Sequence, residues 1–379
     1  MKNKIFFTIF IIFWLIIIIL NFVSEKETFS EQENKVLASF PKFSFKELIQ
    51  GNYQKDLDEY INEHFIFRNN WLKVNSTAQT VLGKTENNGV YIGKDGYLFE
   101  KIDYNKKSID NINMITNKVE AFAKENNNNS NNNSNNNIPT YFCIIPNSIY
   151  INKDKLPKYA KADNQKTIIS DVYSKMNDTK TINVVDILNR NKKDYIYFKT
   201  DHHMTSNGAY LVYLEICKNM KIEPVIDYEK EIIANDFLGT FDSKAQIVNQ
   251  QKDYIEIYKS KNNENIQEVI YDNETTKLLY NKEYLDKKDK YSYFLNGNNA
   301  RVVVKTNNKN NKKLLIIKDS YSHIMAQFLC QNFEEIHFID LRYYKKSISE
   351  YAKENGITTN LIMYNFSNII SDINLRVLE

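Results

Sequence analysis

The stretch LLIIKDSYSHIMAQF, residues 314–328, decides the fold that this sequence predicts. An apolar run ends at Lys318, Asp319 and Ser320 make a turn, and apolar residues at helical spacing follow at once. Such a strand-to-helix unit is typical of an α/β sheet, and it brings the Ser320 hydroxyl to the carboxyl edge of that sheet. The first N–H groups of the helix then face the space above Ser320, where they can stabilise an oxyanion. An ordinary helix N-cap is the competing interpretation of Asp319 and Ser320.

Strands and helices alternate over the chain around this stretch. Short apolar runs predict strands at 140–146, 181–187, 195–198, 314–318, 335–340 and 360–366. Apolar residues at helical spacing predict helices at about 165–178, 205–220, 321–333 and 347–356. This alternation indicates a parallel sheet that helices cover on both faces. The region from about 225 to 300 is polar and rich in tyrosine, and we interpret it as a candidate β-type insertion.

The N-terminus carries an almost unbroken apolar run from Ile5 to Val23, long enough as a helix to cross a bilayer. Lys2 and Lys4 precede the run, so the positive-inside tendency keeps the N-terminus in the cytoplasm and places the rest outside the cell membrane. No small-x-small cleavage site follows, which favours a retained single-pass anchor over a cleaved signal.

The domain organisation follows from these patterns. We predict a cytoplasmic tip and transmembrane anchor at 1–23, a polar stalk at 24–43 and one extracytoplasmic domain at 44–379. Within that domain the sequence predicts helices over 44–82, a hairpin at 90–100, a helix over 108–125 and a disordered Asn-rich insertion at 126–137.

The composition excludes some functions. The chain has 50 basic and 47 acidic residues without a basic block, which argues against nucleic acid as a partner. Cys143, Cys217 and Cys330 lie far apart in apolar surroundings, which favours buried small hydrophobic residues over a disulfide framework or a metal site.

A second segment rich in reactive side chains is KTDHHMTSNG, residues 199–208, and three interpretations compete for it: a metal site, half of a hydrolase-type triad, or a polar turn. It follows a predicted strand, and extended backbone would place Asp201 and His203 on one side and His202 on the other. An Asp beside an imidazole supports a general base, so Asp201, His203 and Ser320 together complete a triad in the chain order Asp, His, Ser.

The remaining histidines receive weaker interpretations. His323 is predicted to lie at the rim with its ring near solvent, and His202 to be a hydrogen-bond partner, a substrate contact or a buried structural residue. A metal ion is disfavoured because adjacent histidines on a strand project oppositely. Further ligands would have to come from residues without supporting spacing, namely His64, Asp242 or Asp319. We therefore predict no metal and no cofactor.

These segments resemble the DHHW protein family of Firmicutes, a relative of the alginate O-acetylation proteins that carry an SGNH-hydrolase-like domain. The matching stretches cover most of the chain after the anchor: FRNNW (67–71), NGVYIGKDGYLFE (88–100), KTDHHMTSNGAY (199–210), DFLGTFDSKA (236–245), YFLNGNN (293–299), KKLLIIKDSYSHIMAQFL (312–329) and FIDLRYY (338–344). The resemblance implies a three-layer α/β/α core, circularly permuted so that the Asp-His pair precedes the Ser. It also implies acyl chemistry on a cell-surface polysaccharide, often beside a polytopic membrane O-acyltransferase that supplies the acyl group.

The resemblance assigns roles to individual residues. It implies Ser320 as nucleophile with His203 and Asp201 behind it, and Gly297 and Asn298 as a weaker match to an oxyanion or substrate contact. Asn-Gly is also an ordinary turn dipeptide. The final Trp of the family motif is Met204 here, which keeps apolar packing but removes a stacking surface for a sugar ring.

Two functions follow from the sequence. The first is a serine-dependent O-acetyltransferase or acetylesterase, with an acyl-enzyme on Ser320 that a carbohydrate hydroxyl or water resolves. The second is a catalytically inactive cell-surface module that kept the fold and binds polysaccharide or an envelope partner.

Overall fold

The computed structural model of the chain describes residues 2–30, 32, 35–128, 137–260 and 265–378. Over these residues the helices are α1 (Lys2–Val23), α2 (Phe45–Gln50), α3 (Asn52–Glu63), α4 (Arg68–Val81), α5 (Lys106–Asn128), α6 (Ser148–Ile151), α7 (Gln165–Ser174), α8 (Val185–Arg190), α9 (Ser206–Met220), α10 (Thr240–Ala245), α11 (Ala326–Leu329), α12 (Ile348–Glu354) and α13 (Phe366–Ser371). The strands are β1 (Phe29–Ser30), β2 (Lys35–Val36), β3 (Glu86–Asn87), β4 (Val90–Ile92), β5 (Leu98–Glu100), β6 (Thr140–Ile145), β7 (Lys180–Thr181), β8 (Tyr228–Phe237), β9 (Asp253–Ser260), β10 (Ile266–Tyr271), β11 (Glu274–Thr276), β12 (Arg301–Thr306), β13 (Lys313–Lys318), β14 (Glu335–Ile339) and β15 (Thr359–Asn365).

The fold is a mixed α/β structure around one large sheet. In the described part of the chain this sheet has eight strands in the order β11-β10-β12-β14-β13-β15-β6-β7. The strands from β14 to β7 are parallel, whereas β12, β10 and β11 continue the sheet in antiparallel pairs. The predicted parallel sheet therefore forms five of the eight strands of a mixed sheet, because β12 and the strands β10 and β11 of the polar 225–300 region add an antiparallel edge.

The parallel strands are buried almost throughout. All six residues of β6 and five of the six in β13 are buried, as the apolar runs TYFCII and LLIIK predict for strands covered on both faces. One large hydrophobic core contains residues from the parallel strands and from α5, α7, α9, α12 and α13. Cys143, Cys217 and Cys330 are buried free thiols, as predicted.

The predicted strands at 181–187 and 195–198 are wrong. The first is only β7, because the Asn183 side chain accepts the Val185 N–H at 3.0 Å and α8 begins there. In the second, only Tyr197 pairs, through an isolated antiparallel bridge to Met204. The residues between them form a bend rather than an extended strand.

The predicted helix over 321–333 is shorter than expected. A 3-10 turn spans Ser320–Met325, and α11 adds only four residues. The Asp319 side chain accepts the Tyr321 N–H at 2.9 Å, and the Asp319 carbonyl accepts the Ser322 N–H at 3.3 Å. This tight capping starts the segment as a 3-10 helix.

The N-terminal part agrees with the predicted elements. The segment Lys4–Val23 of α1 is long and apolar enough to be a candidate membrane span or signal sequence. Strands β4 and β5 pair as the predicted hairpin. Helix α5 continues to Asn128, so the predicted disorder is wrong for residues 126–128, where the buried Asn126 amide donates to the Phe122 carbonyl at 2.8 Å. Positions 129–136 of the predicted insertion lie outside the described residues. Strands β8 and β9 form a separate antiparallel pair inside the 225–300 region.

Candidate active site

The end of β13 places Ser320 at the carboxyl edge of the parallel strands. Asp319 precedes it and is buried, and one of its carboxylate oxygens accepts the Asn365 N–H at 2.7 Å at the end of the neighbouring strand β15. The side-chain amides of Asn365 and Asn368 donate to the same oxygen at 2.7 and 2.9 Å. Burial raises the pKa of the Asp319 carboxyl in spite of these donors. Asp319 is therefore a structural cap that fixes the turn presenting Ser320.

The structure brings Ser320, His203 and Asp201 together in one hydrogen-bonded chain. Ser320 Oγ lies 2.8 Å from His203 Nε2, and His203 Nδ1 lies 2.6 Å from Asp201 Oδ1. A carboxylate only accepts, so Nδ1 carries the proton and Nε2 accepts from the Ser320 hydroxyl. Asp201 and His203 are buried, while Ser320 is partly exposed. This is the arrangement that a general base and its nucleophile require.

Asp201 is held by the loop that follows β8. Its second oxygen accepts the Thr240 N–H at 2.8 Å and the Thr240 hydroxyl at 3.1 Å. Gly239 permits this close approach, since a Cβ on Gly239 would lie 2.3 Å from the Asp201 Cβ. Burial alone would raise the pKa of Asp201, but the neighbouring His202 and His203 and the donors at Thr240 hold it well below its usual value.

Burial dominates the titration of His203. Burial and then the neighbouring His202 lower the pKa of the imidazole to about 4, although Asp201 opposes the shift. His203 is therefore neutral at physiological pH and free to accept a proton. The Tyr291 ring stacks on it with centroids 3.5 Å apart and planes 9° apart, and the Tyr291 hydroxyl donates to the Ser320 carbonyl at 3.1 Å.

His202 does not face away from Asp201 and His203, so that prediction is wrong. The bend over 199–203 turns its ring to within 3.8 Å of the His203 ring, between centroids. Its Nδ1 hydrogen-bonds Thr240 Oγ1 at 2.7 Å. The extended-strand rule fails here because Asp201 Oδ1 accepts the His203 N–H at 3.0 Å and closes a local turn.

The same bend changes the geometric argument about a metal ion. Asp201, His202 and His203 offer ligand atoms that all lie within 4.8 Å of one another, so the imidazoles do not project oppositely. Both oxygens of Asp201, both nitrogens of His203 and Nδ1 of His202 already have hydrogen-bond partners in the protein. Within the described chain no further His, Cys, Asp or Glu completes this group, and the other suggested ligands, His64, Asp242 and Asp319, contact Ala38, Lys288 and Asn365 instead.

His323 is also placed differently from its prediction. The residue is 3% exposed, and its Nε2 lies 2.9 Å from the Nζ of buried Lys318. The 3-10 turn after Ser320 directs the ring inward rather than toward solvent. Burial lowers the pKa of His323 well below its usual value and that of Lys318 to about 8. Lys318 also lies 3.6 Å from Asp340, so His323 belongs to a buried polar cluster beneath the site.

Only one of the two predicted oxyanion residues, Gly297 and Asn298, lies at the cleft. Asn298 lies at the rim of the cleft around Ser320, where its side-chain oxygen accepts from Arg342 at 3.1 Å. Gly297 does not line that cleft, and its N–H donates to the Phe294 carbonyl at 3.3 Å. In the described chain no residue accepts the Ser320 N–H, which leaves that donor available at the start of the 3-10 turn.

The cleft above Ser320 has a volume of about 200 Å³ and is open to solvent. Arg342 lines it and is held by Asp340, with its Nη2 2.6 Å from Asp340 Oδ2.

Neither Arg342 nor Tyr291 is predicted from the sequence; Arg342 lies in the matching stretch FIDLRYY, whereas nothing in the sequence points to Tyr291. Met204 is fully buried, so this position packs in the core and presents no surface to the cleft.

Comparison with known proteins identifies similar chains. The family model described as DHHW protein matches residues 126–339, and no curated protein matches. A DHHW family protein from Eubacterium siraeum superposes with a TM-score of 0.65 at 22% identity, covering 77% of this chain and 95% of that one. PatB1 from Bacillus cereus, solved with a sulfonyl adduct, gives 0.61 at 21% identity and covers 76% and 100%. The O-acetyltransferase domain of Pseudomonas putida AlgJ gives 0.46 at 10% identity and covers 75% and 93%.

Proposed function

The chain belongs to the DHHW protein family, and from that premise we propose that it is a membrane-anchored, extracytoplasmic O-acyltransferase or esterase that acts on a cell-surface polysaccharide. Ser320 is the nucleophile, His203 the general base and Asp201 the residue that orients His203. The observation that carries the proposal is the hydrogen-bonded chain from Ser320 through neutral His203 to Asp201, which ends in an open cleft.

The first half of the reaction forms an acyl-enzyme. His203 Nε2 takes the Ser320 proton as Oγ attacks the acyl carbon of the donor, and the developing oxyanion lies near the Ser320 N–H. The tetrahedral intermediate then collapses, and the imidazolium returns the proton to the leaving group of the donor. The acyl group remains on Ser320 as an ester.

The second half transfers the acyl group. A polysaccharide hydroxyl or a water molecule loses its proton to His203 and attacks the acyl carbon, and the proton then returns to Ser320. Asp201 stabilises the imidazolium in both halves, and the stacked Tyr291 ring keeps the imidazole plane fixed. Water in place of the carbohydrate hydroxyl makes the same enzyme an esterase.

Three further parts of the proposal are the type of core, the membrane anchor and the source of the acyl group. The order Asp201, His203, Ser320 along the chain supports a circularly permuted, three-layer SGNH-hydrolase-like core. The apolar helix α1 supports a cell-membrane anchor with the domain outside. Bacillus cereus PatB1, which has a similar fold, was solved with a sulfonyl adduct, and sulfonyl reagents modify activated nucleophiles. A polytopic membrane O-acyltransferase is the proposed source of the acyl group.

The test is labelling and turnover of the full-length protein in detergent. We expect a fluorophosphonate probe to label the wild type and a chromogenic acetyl ester to be hydrolysed, with both signals lost in Ser320→Ala. Ser322→Ala is the matched control, because Ser322 is buried two residues further on and should leave both signals intact. Equal labelling of wild type and Ser320→Ala, with no turnover, would favour the inactive polysaccharide-binding module instead.

A further inference from the structure

Helix α4 exposes an apolar stripe to solvent, whereas an ordinary surface helix turns its apolar face toward the core. Large apolar side chains recur along it at steps of three and four residues, and all of them are exposed: Phe67 at 61%, Trp71 at 47%, Val74 at 59% and Val81 at 81%, with Ala78 between them. Leu82 extends the same face and is 87% exposed. Helical geometry places these residues on one stripe.

Away from this stripe, Leu72 is half-buried and polar side chains hold α4 to the domain. The buried hydroxyl of Ser76 donates to the Ala245 carbonyl at 2.7 Å and accepts from the Asn87 amide at 2.7 Å. The Thr77 hydroxyl accepts the Val248 N–H at 3.3 Å. These contacts fix the rotation of α4 about its axis. The apolar stripe therefore faces away from the rest of the domain.

The start of α4 is joined to the end of the anchor helix α1. The Asn21 side-chain oxygen accepts the Ile66 N–H at 2.9 Å. Lys26, just after the anchor, donates to the carbonyls of Asn21 at 2.7 Å and of His64 at 3.2 Å. Because α1 is the candidate membrane span, these bonds keep the beginning of the apolar stripe at the surface of the bilayer.

We propose that the stripe Phe67–Trp71–Val74–Ala78–Val81–Leu82 lies in the headgroup and upper acyl region of the bilayer that α1 crosses, making α4 a second, interfacial membrane contact. An apolar face of this kind next to a membrane span matches an interfacial helix. The indole N–H of Trp71 donates to the Ile66 carbonyl at 3.1 Å, so the ring enters lipid without losing a hydrogen bond.

The distribution of exposed apolar residues supports a membrane as the occupant. Outside α1, exposed large apolar side chains concentrate in residues 40–82, the segment whose His64 and Ile66 hydrogen-bond to Lys26 and Asn21 at the end of the anchor, while they are scattered over the described residues beyond 83. The stripe thus begins beside the anchor and belongs to the part of the chain where exposed apolar residues are most frequent.

This contact would also set the height of the active site above the membrane. Ser76 on α4 bonds Ala245 at the end of α10, and Thr240 at the start of α10 bonds Asp201. One short helix therefore separates the membrane-facing helix from the proposed triad. The inference rests on the anchor that is part of the proposed function, but it does not depend on catalysis.

The sequence contains two tryptophans, so the proposal can be tested by fluorescence of the full-length protein in vesicles of phosphatidylcholine and phosphatidylglycerol. Trp14→Phe leaves Trp71 as the single reporter. We expect brominated lipids labelled near the headgroup to remove most of its emission, and lipids labelled near the chain ends to remove less. Val74→Asp, which puts a charge in the stripe, should abolish this quenching, whereas Asn75→Asp at its border should not.

Two controls make the outcomes decisive. In a Trp14→Phe, Trp71→Phe, Tyr159→Trp variant the reporter occupies a position that is 87% exposed on the domain, and it should stay unquenched. Trp71→Phe leaves Trp14, which should be quenched by bromines deep in the chains. If Trp71 is unquenched while Trp14 is quenched, the proposal is overturned in favour of a protein partner or a second copy of the chain. If Trp14 is also unquenched, the premise that α1 lies in the bilayer is overturned. Neither readout involves acyl turnover, so failure here is distinct from failure of the proposed enzyme.

Discussion

At the scale of single residues, the behaviour of the site depends on how His203 is buried. A histidine with an ordinary pKa would be largely protonated in a mildly acidic cell envelope and could not accept the Ser320 proton. Burial together with the neighbouring His202 lowers the pKa of His203 to about 4, and the stacked Tyr291 excludes water from one ring face. The proposed base is therefore unprotonated over most of the physiological pH range.

This predicts an unusual pH dependence. Protonation of His203 removes the base, so activity is present above its pKa and is lost as the pH falls through it. We expect kcat/KM for a chromogenic acetyl ester to fall with an apparent pKa near 4. In His202→Asn the acidic limb of the pH profile of kcat/KM should move to higher pH, because the side chain that helps to lower the pKa of His203 is gone. A wild-type limb at or above the ordinary histidine value near 6.5 would contradict the account.

At the scale of elements, the sequence predicts the regular parts of the site and misses the irregular ones. The strand-to-helix turn at Ser320 follows from periodicity, whereas the proximity of Asp201 and His203 follows from the family resemblance, since the extended strand that also predicted it is a bend in the structure. The orientation of His202 and the burial of His323 do not, because a bend and a 3-10 turn replace the strand and helix on which those predictions relied. Tyr291 lies distant in sequence, and its contact depends on tertiary packing alone.

The loop that holds Asp201 offers a test at this scale. Gly239→Ala would place a methyl group 2.3 Å from the Asp201 Cβ and 2.4 Å from its Oδ2, so the carboxylate must move. We expect a loss of about 1–3 kcal/mol in the free energy of unfolding from overpacking. We also expect a fall of about 10²-fold in turnover because the Asp201 carboxylate is misplaced. Thr240→Ser keeps both donors to Asp201 and should leave turnover unchanged. Thermal unfolding and ester hydrolysis measure the two effects, and unchanged turnover in Gly239→Ala would refute the role of this contact.

At the scale of the whole molecule, the fold collects a site from distant parts of the chain. Asp201 and His203 come from the loop before α9, Ser320 from the end of β13, and the support for Asp201 from the start of α10. The last element also connects the site to α4, beside the anchor. The sheet thus provides the rigid edge for the proposed nucleophile, and the irregular segment between α8 and α9 supplies the proposed base.

The most direct test of the account is to find the acyl-enzyme. Full-length protein exposed briefly to an acetyl ester is quenched in acid, digested and analysed by peptide mass spectrometry. We expect one acetyl group on the peptide that contains Ser320, located on Ser320 by fragmentation and absent from both Ser320→Ala and His203→Ala. Acetylation of another residue, or ester turnover that persists in Ser320→Ala, would contradict it.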